Sequence, residues 1–160
     1  MPTEENKAIV LEFYQAFDDR NIEQAFELLA PNFVAHMAGL PKPLDILGFR
    51  DFGMKFYSAF TDSKHQFEQV IVEDSKVVTC GTFTAKHLGE FQGIPPTNKQ
   101  VEISIMHIDC VENGKIVEHW GQGDAQGLMQ QLGIIFLPGA KLVPSILKNI
   151  FSKLLWEAIN

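Results

Sequence analysis

The dipeptide Asn113-Gly114 constrains this fold more than any other feature of the chain. It lies between two strand-like runs, near 99–111 and 115–124, and Asn-Gly is the preferred pair for a two-residue type I′ hairpin loop. Such a loop leaves little freedom of register. Glu112 then faces Lys115, and the pairs continue as Val111 with Ile116, Asp109 with Glu118, His107 with Trp120, Ile105 with Gln122 and Ile103 with Asp124. Alternate residues share a face. One face therefore gathers Val101, Ile103, Ile105, His107, Trp120, Gln122 and Asp124, and the other Met106, Ile108, Cys110, Val117 and His119. Both faces are apolar, so both are expected to be covered. We assign the face with Trp120 and Asp124 to an internal cavity, and the opposite face to another element or a second subunit. Gly121 and Gly123 mark the place where a bulge would shift this register by one residue.

The preceding residues have a helical period. Thr3 is placed to cap a helix whose Ile9, Val10, Phe13, Tyr14 and Phe17 recur on one side. Asn21 and Gln24 form a capping-box pattern for a short second helix with Phe26 and Leu29, which Pro31 ends. Phe33 to His36 reads as a short strand, and residues 46–60 as a third helix with Phe52, Phe56 and Phe60 on one side. From residue 64 the period becomes two, adding strands near 65–73 and 76–91 around the polar turn Glu73-Asp74-Ser75. A further helix follows Asp124 and meets Gly133 at a C-cap position. Helices followed by an antiparallel meander make an α+β chain. The economical arrangement is a strongly curved sheet wrapped around the N-terminal helices. The expected domain spans 1–133, with a C-terminal helical extension over 134–160.

Composition excludes several function classes. A net charge of −7 disfavours a nucleic-acid surface. Arg20 and Arg50 are the only arginines, which disfavours phosphorylated substrates. Thirteen phenylalanines favour an apolar core or cavity. Cys80 and Cys110 fit no zinc knuckle or redox pair and read as buried thiols of a reducing compartment. With an acidic N-terminus that reads directly as a helix, a cytoplasmic location is expected. In the extension, Val143, Ile146, Leu147, Ile150, Phe151, Leu154, Leu155 and Ala158 form a stripe, with Lys148 and Lys153 opposite. Packing on the domain or on a partner copy is favoured over contact of 143–159 with an anionic membrane surface.

Among the polar candidates, Asp124 on an apolar wall would be desolvated and poised as a general acid/base. The competing reading is an N-cap of the helix that follows. His107 suits orienting a substrate oxygen or sharing a proton with Asp124, and His87 suits donating to a developing enolate. His36 faces them from the short strand, whereas His65 reads as surface. Trp120, Gln122, Phe56 and Ile105 complete a candidate substrate wall. No pair among the five histidines has zinc-site spacing, so no metal is expected.

Ala59-Phe60-Thr61-Asp62, the run His87 to Thr97, Gly114 to Trp120, and Asp124 followed by Gln131-Leu132-Gly133 together resemble the SnoaL-like polyketide cyclases, also called ester cyclases. The resemblance spans about residues 5–133. It departs at Thr61, where Pro is usual, and at Asn98, where Gly usually follows Pro-Pro-Thr. It implies a cone-shaped α+β barrel of the nuclear-transport-factor-2 type, often dimeric. It also implies intramolecular aldol ring closure of a polyketide-like substrate without metal or organic cofactor, with the aspartate at position 124 as general acid/base. A non-catalytic carrier of a lipophilic ligand and a His/Asp dehydratase remain open beside it.

Overall fold

Apolar residues at helical spacing build the first layer. The computed structural model describes residues 2–135 together with Pro144 and Leu147. Helix α1 (Pro2–Asp18) buries Val10, Phe13, Tyr14 and Phe17. Helix α2 (Ile22–Glu27) is capped by Asn21, whose side chain accepts from the Gln24 amide at 3.4 Å and donates to the Gln24 side chain at 2.8 Å. Strand β1 (Leu29–Met37) and the short β2 (Leu44–Asp45) precede α3 (Ile46–Ala59). Asp45 caps α3 by accepting from the Gly48 amide at 2.8 Å. Arg20 fastens the layer: its guanidinium donates to the carbonyls of Tyr57 and Phe60 at the far end of α3.

Strands β3 (Phe60–Glu73), β4 (Lys76–His87), β5 (Gln100–Glu112) and β6 (Lys115–Gly123) form the expected meander, and α4 (Ala125–Leu132) closes the domain. The sheet order is β2-β1-β6-β5-β4-β3. Its pairs are antiparallel except β1 with β6, which run parallel. The sheet is curved and unclosed. Both Asn113 and Gly114 have positive φ, and Glu112 faces Lys115, as the hairpin requires. Gly133 takes the left-handed C-cap. Asn98 adopts φ +62°, a conformation asparagine tolerates better than most residues, in the place where the resemblance has glycine. The expected C-terminal helix lies outside the described residues, apart from the two isolated positions.

Two features bend the sheet. Register shifts in β3, between Thr61 and Lys64 and between Phe67 and Gln69, twist it against β4. There Gly81 lets the strands approach: a Cβ on it would lie 2.1 Å from the Gln66 carbonyl oxygen. The second irregularity lies in β6. Val111 pairs with Ile116 but Cys110 with Glu118, so Val117 is an extra residue. From that point every β6 residue changes partner relative to the unbulged hairpin. Asp109 faces His119, Ile108 faces Trp120 and His107 faces Gly121.

This bulge overturns the sequence-based face assignment. His119 points inward and is buried, whereas Trp120 is 49% exposed and Gln122 lies on the convex face with it. The bulge sits before Trp120, at Val117, and not between Trp120 and Asp124 where the glycines suggested it. The concave face is also not an open chamber. Two apolar clusters fill it, one around Phe13, Phe17, Phe33, Phe49, Val111 and Ile116, the other around Phe60, Phe83, Val101, Ile103, Leu128 and Leu132.

Candidate functional site

β4 and β6 both run antiparallel to β5, so their C-terminal ends lie together at one end of the sheet. We call this end the mouth. The second apolar cluster lines it, with Phe56, Phe91 and Ile94 packed at its edge. His87 ends β4 here and is completely buried. The Thr97 amide donates to its Nδ1 at 3.2 Å, with the Thr97 hydroxyl 3.0 Å from the same nitrogen. A backbone N–H can only donate, so Nδ1 accepts and the hydrogen of the neutral ring sits on Nε2. That buried Nε2 has no hydrogen-bond partner among the described residues. An unmet buried donor costs about 1–3 kcal/mol. Burial holds the His87 ring below the ordinary histidine range, partly opposed by the Gly89 backbone, so the ring is a neutral donor. Phe60 lies against it, with ring centroids 5.0 Å apart.

Asp124 follows β6 at the same end. It is exposed and caps α4, with Oδ1 accepting from the Gly127 amide at 2.8 Å. The expected desolvated carboxylate on an apolar wall is therefore corrected to the N-cap geometry. The cause is the bulge at Val117, which turns Gly123 inward and gives residue 124 the outward facing of Trp120 and Gln122, just where the chain enters α4. Asp124 Oδ2 has no hydrogen-bond partner among the described residues.

Between the two apolar clusters runs a polar belt. Thr79 of β4, His107 and Asp109 of β5 and His119 of β6 all point inward, and Tyr14 of α1 covers them. Asp109 is fully buried. Its Oδ2 accepts from the Tyr14 hydroxyl at 2.8 Å, and its Oδ1 lies 2.8 Å from His119 Nδ1. His107 stacks on Tyr14 with centroids 4.9 Å apart and lies 5.5 Å from the His119 ring. Its Nδ1 is 3.3 Å from the Thr79 hydroxyl. Burial first, then the neighbouring His119 and His65, holds His107 well below the ordinary histidine range. Burial and the Asp109 charge raise the Tyr14 hydroxyl well above its usual range. His65 is not a surface residue: Asp18 takes both its ring Nδ1, at 2.7 Å, and its backbone amide, at 2.9 Å, tying the end of α1 to β3.

The remaining candidates are divided between the faces. Ile105 and Phe56 lie inside, where they were expected. His36, Trp120 and Gln122 line a hollow of about 390 Å³ on the convex face, together with Met37, Met106 and Ile108. His36 stacks on Trp120 at 3.8 Å, and its Nε2 lies 3.1 Å from Glu118 Oε1. The expected joint wall of His36, Trp120, Gln122 and Asp124 is therefore corrected: the bulge sends two of its members outward, and parallel pairing of His36 with Trp120 takes His36 with them. His107 is brought together with Asp109, His119 and Tyr14 instead of Trp120. The sequence carried one signal of this. The unbulged register sets Asp109 opposite Glu118, two carboxylates face to face, and a slip of one residue replaces that repulsion by a histidine–aspartate pair.

Among the described residues no three His, Cys, Asp or Glu side chains are grouped to hold a metal ion. No helix among them is long and apolar enough to cross a membrane.

Comparison with known proteins gives a consistent result. The sequence model of the SnoaL-like polyketide cyclase family matches residues 8–132. AclR, a putative hydroxylase from Streptomyces galilaeus, is similar in structure at a TM-score of 0.78 and 25% identity, covering 84% of this chain and 99% of that one. IdmH, a putative polyketide cyclase from Streptomyces antibioticus, aligns at a TM-score of 0.73 and 27% identity over 81% of this chain and 99% of its own. A putative polyketide cyclase from Acidithiobacillus ferrooxidans aligns at 0.71 and 26% identity over 80% and 94%. No curated protein matches the chain significantly.

Proposed function

Because the chain belongs to the SnoaL-like polyketide cyclase family, we propose that it closes a ring by intramolecular aldol addition within a polyketide or β-keto ester, without metal or organic cofactor. The carrying observation is the buried His87 Nε2–H, which has no hydrogen-bond partner among the described residues and lies against the aromatic cluster at the mouth. A donor that is costly to leave unmet is supplied by a ligand oxygen. In this reading Phe56, Phe91, Ile103 and Ile105 hold the acyl chain, and His87 donates to the enolate oxygen as charge develops there. Asp124, at the same end and with Oδ2 unpartnered among the described residues, is the general acid/base. It takes the proton from the carbon between two carbonyls, the resulting enolate carbon bonds to a second carbonyl carbon, and the new alkoxide takes the proton back. The product is an isomer of the substrate. His107, deeper in the sheet, supports the binding wall from below.

The test is turnover of a β-keto ester by Asp124→Asn and His87→Phe. Loss of turnover by at least about 100-fold in Asp124→Asn, with substrate binding retained, is expected for an acid/base residue. Retained turnover overturns its assignment. Two copies pairing through the convex face, where Met106, Ile108 and Trp120 are exposed, belong to the same proposal; sedimentation of the protein as a monomer at micromolar concentration would contradict that part.

A further inference from the structure

The convex face carries an uncovered apolar hollow, and the C-terminal segment carries an apolar stripe. Met106 is 51% exposed, and Ile108 and Trp120 beside it are exposed as well. His36 lies flat on Trp120 and is held by Glu118, so the polar groups at this hollow are already engaged with one another. Large apolar side chains gathered on a surface mark a place where something binds. The sequence supplies an occupant. Residues 143–158 repeat apolar side chains at helical spacing, with Val143, Ile146, Leu147, Ile150, Phe151 and Leu154 on one side. Leu147 is helical and 47% exposed. An amphipathic helix draws most of its stability from a surface that buries its apolar face.

Reach and charge both fit. The chain leaves α4 beside the start of β5. There the Gln131 side chain bonds the Glu102 amide and carbonyl at 2.9 and 2.8 Å, and the Gln131 carbonyl accepts from Lys99 Nζ at 2.9 Å. Glu102 faces the convex side, as Met106 does further along the strand, about 13 Å away at about 3.3 Å per residue. Residues 134–142 join α4 to the stripe and span up to about 30 Å when extended. Lys141, Lys148 and Lys153 outweigh Glu157, so residues 136–160 carry +2 and, from a total of −7, residues 1–135 carry −9. Within one chain Trp120 and Leu147 both stay open. A second copy closes both at once, because in a two-fold pair each copy gives one stripe and receives one. A helix of this length is about 24 Å long and about 10 Å across. Two reciprocal contacts of that size bury about 1,000 Å² in all, which reaches what a specific interface needs.

We propose that residues 143–158 of each copy lie in the convex hollow of the other, so that exchanged C-terminal helices hold the pair together. This rests on the pairing of two copies through the convex face and names the segment that fills it.

The test uses the full chain. In sedimentation, Leu147→Glu is expected to weaken pairing by about tenfold or more. Leu47→Glu, exposed on α3 on the other side of the sheet, is expected to leave pairing unchanged. The position of the segment is read with a nitroxide on Ser152→Cys, in a chain whose Cys80 and Cys110 are replaced by serine. This copy is mixed with an untagged, isotope-labelled copy. The amide NMR signals of Met106, Ile108 and Trp120 in the untagged copy are expected to fade more than that of Leu47, and to recover when the tagged copy also carries Leu147→Glu. A wild-type chain that sediments as a monomer overturns the pairing and the exchange together. A pair without this fading leaves the pairing standing and overturns the exchange. Fading only when tag and isotope share one chain puts the segment on its own sheet and overturns the exchange as well. If the serine variant does not fold, sedimentation decides: unchanged pairing in Leu147→Glu overturns the proposal.

Discussion

Replacing Asp109 by leucine tests the energetics of the belt. The carboxylate holds two buried donors, Tyr14 O–H and His119 Nδ1–H, each at 2.8 Å. Leucine leaves both unmet in an apolar interior. At about 1–3 kcal/mol for each stranded group, the expected loss is about 4 kcal/mol, within the about 3–5 kcal/mol typical of breaking one side of a buried pair. The cost belongs to the stranded partners and not to the missing charge. Removing the partners as well should therefore restore most of it. The triple variant Tyr14→Phe, Asp109→Leu, His119→Leu is expected within about 2 kcal/mol of wild type, more stable than Asp109→Leu alone. Urea unfolding followed by circular dichroism reads this, provided the slope with denaturant stays the same across the set. A triple variant less stable than the single, or an Asp109→Leu cost below about 1 kcal/mol, would refute the reasoning.

The other predictions follow from single contacts. His87 and His107 both have folded pKa values held down by burial. The unfolded chain thus binds more protons below its histidine pKa of about 6.5, and stability should be full above that value and fall on acidification by up to about 1.4 kcal/mol per pH unit for each ring; an unchanged urea midpoint from pH 7 to 5 would contradict it. Gly81→Ala forces a carbon towards the Gln66 carbonyl oxygen and should cost about 3 kcal/mol or more in the same assay. Trp120→Phe, on the convex face, should leave ring closure within about twofold, whereas Phe56→Ala at the mouth should raise KM.

The elements were legible where one local signal sufficed. Helical spacing of Phe13, Tyr14 and Phe17, the Asn21 cap, the Gly133 C-cap and the Asn113-Gly114 loop each act over a few residues, and each gave the local structure found. The register of β6 was not legible because both faces of the hairpin are apolar. When Met106 and Ile108 alternate with Ile105 and His107, hydrophobic pattern does not tell inside from outside. The bulge at Val117 carries no glycine or proline to announce it. Its cause is electrostatic and long-range, the pairing of Asp109 with His119 beneath Tyr14, and Tyr14 is brought there by a helix 95 residues earlier in the chain. His65 was misread for the same reason, since its partner Asp18 lies 47 residues away.

The mass of the product tests ring closure at the mouth most directly. The protein is incubated with a linear β-keto ester in the presence of a chelator, and the extract is analysed by mass spectrometry and NMR. The expected product is a compound of unchanged mass with a new carbon–carbon bond and one carbonyl converted to a hydroxyl. Recovery of the unaltered ester, or a product lighter by one water formed without a new ring, would contradict it.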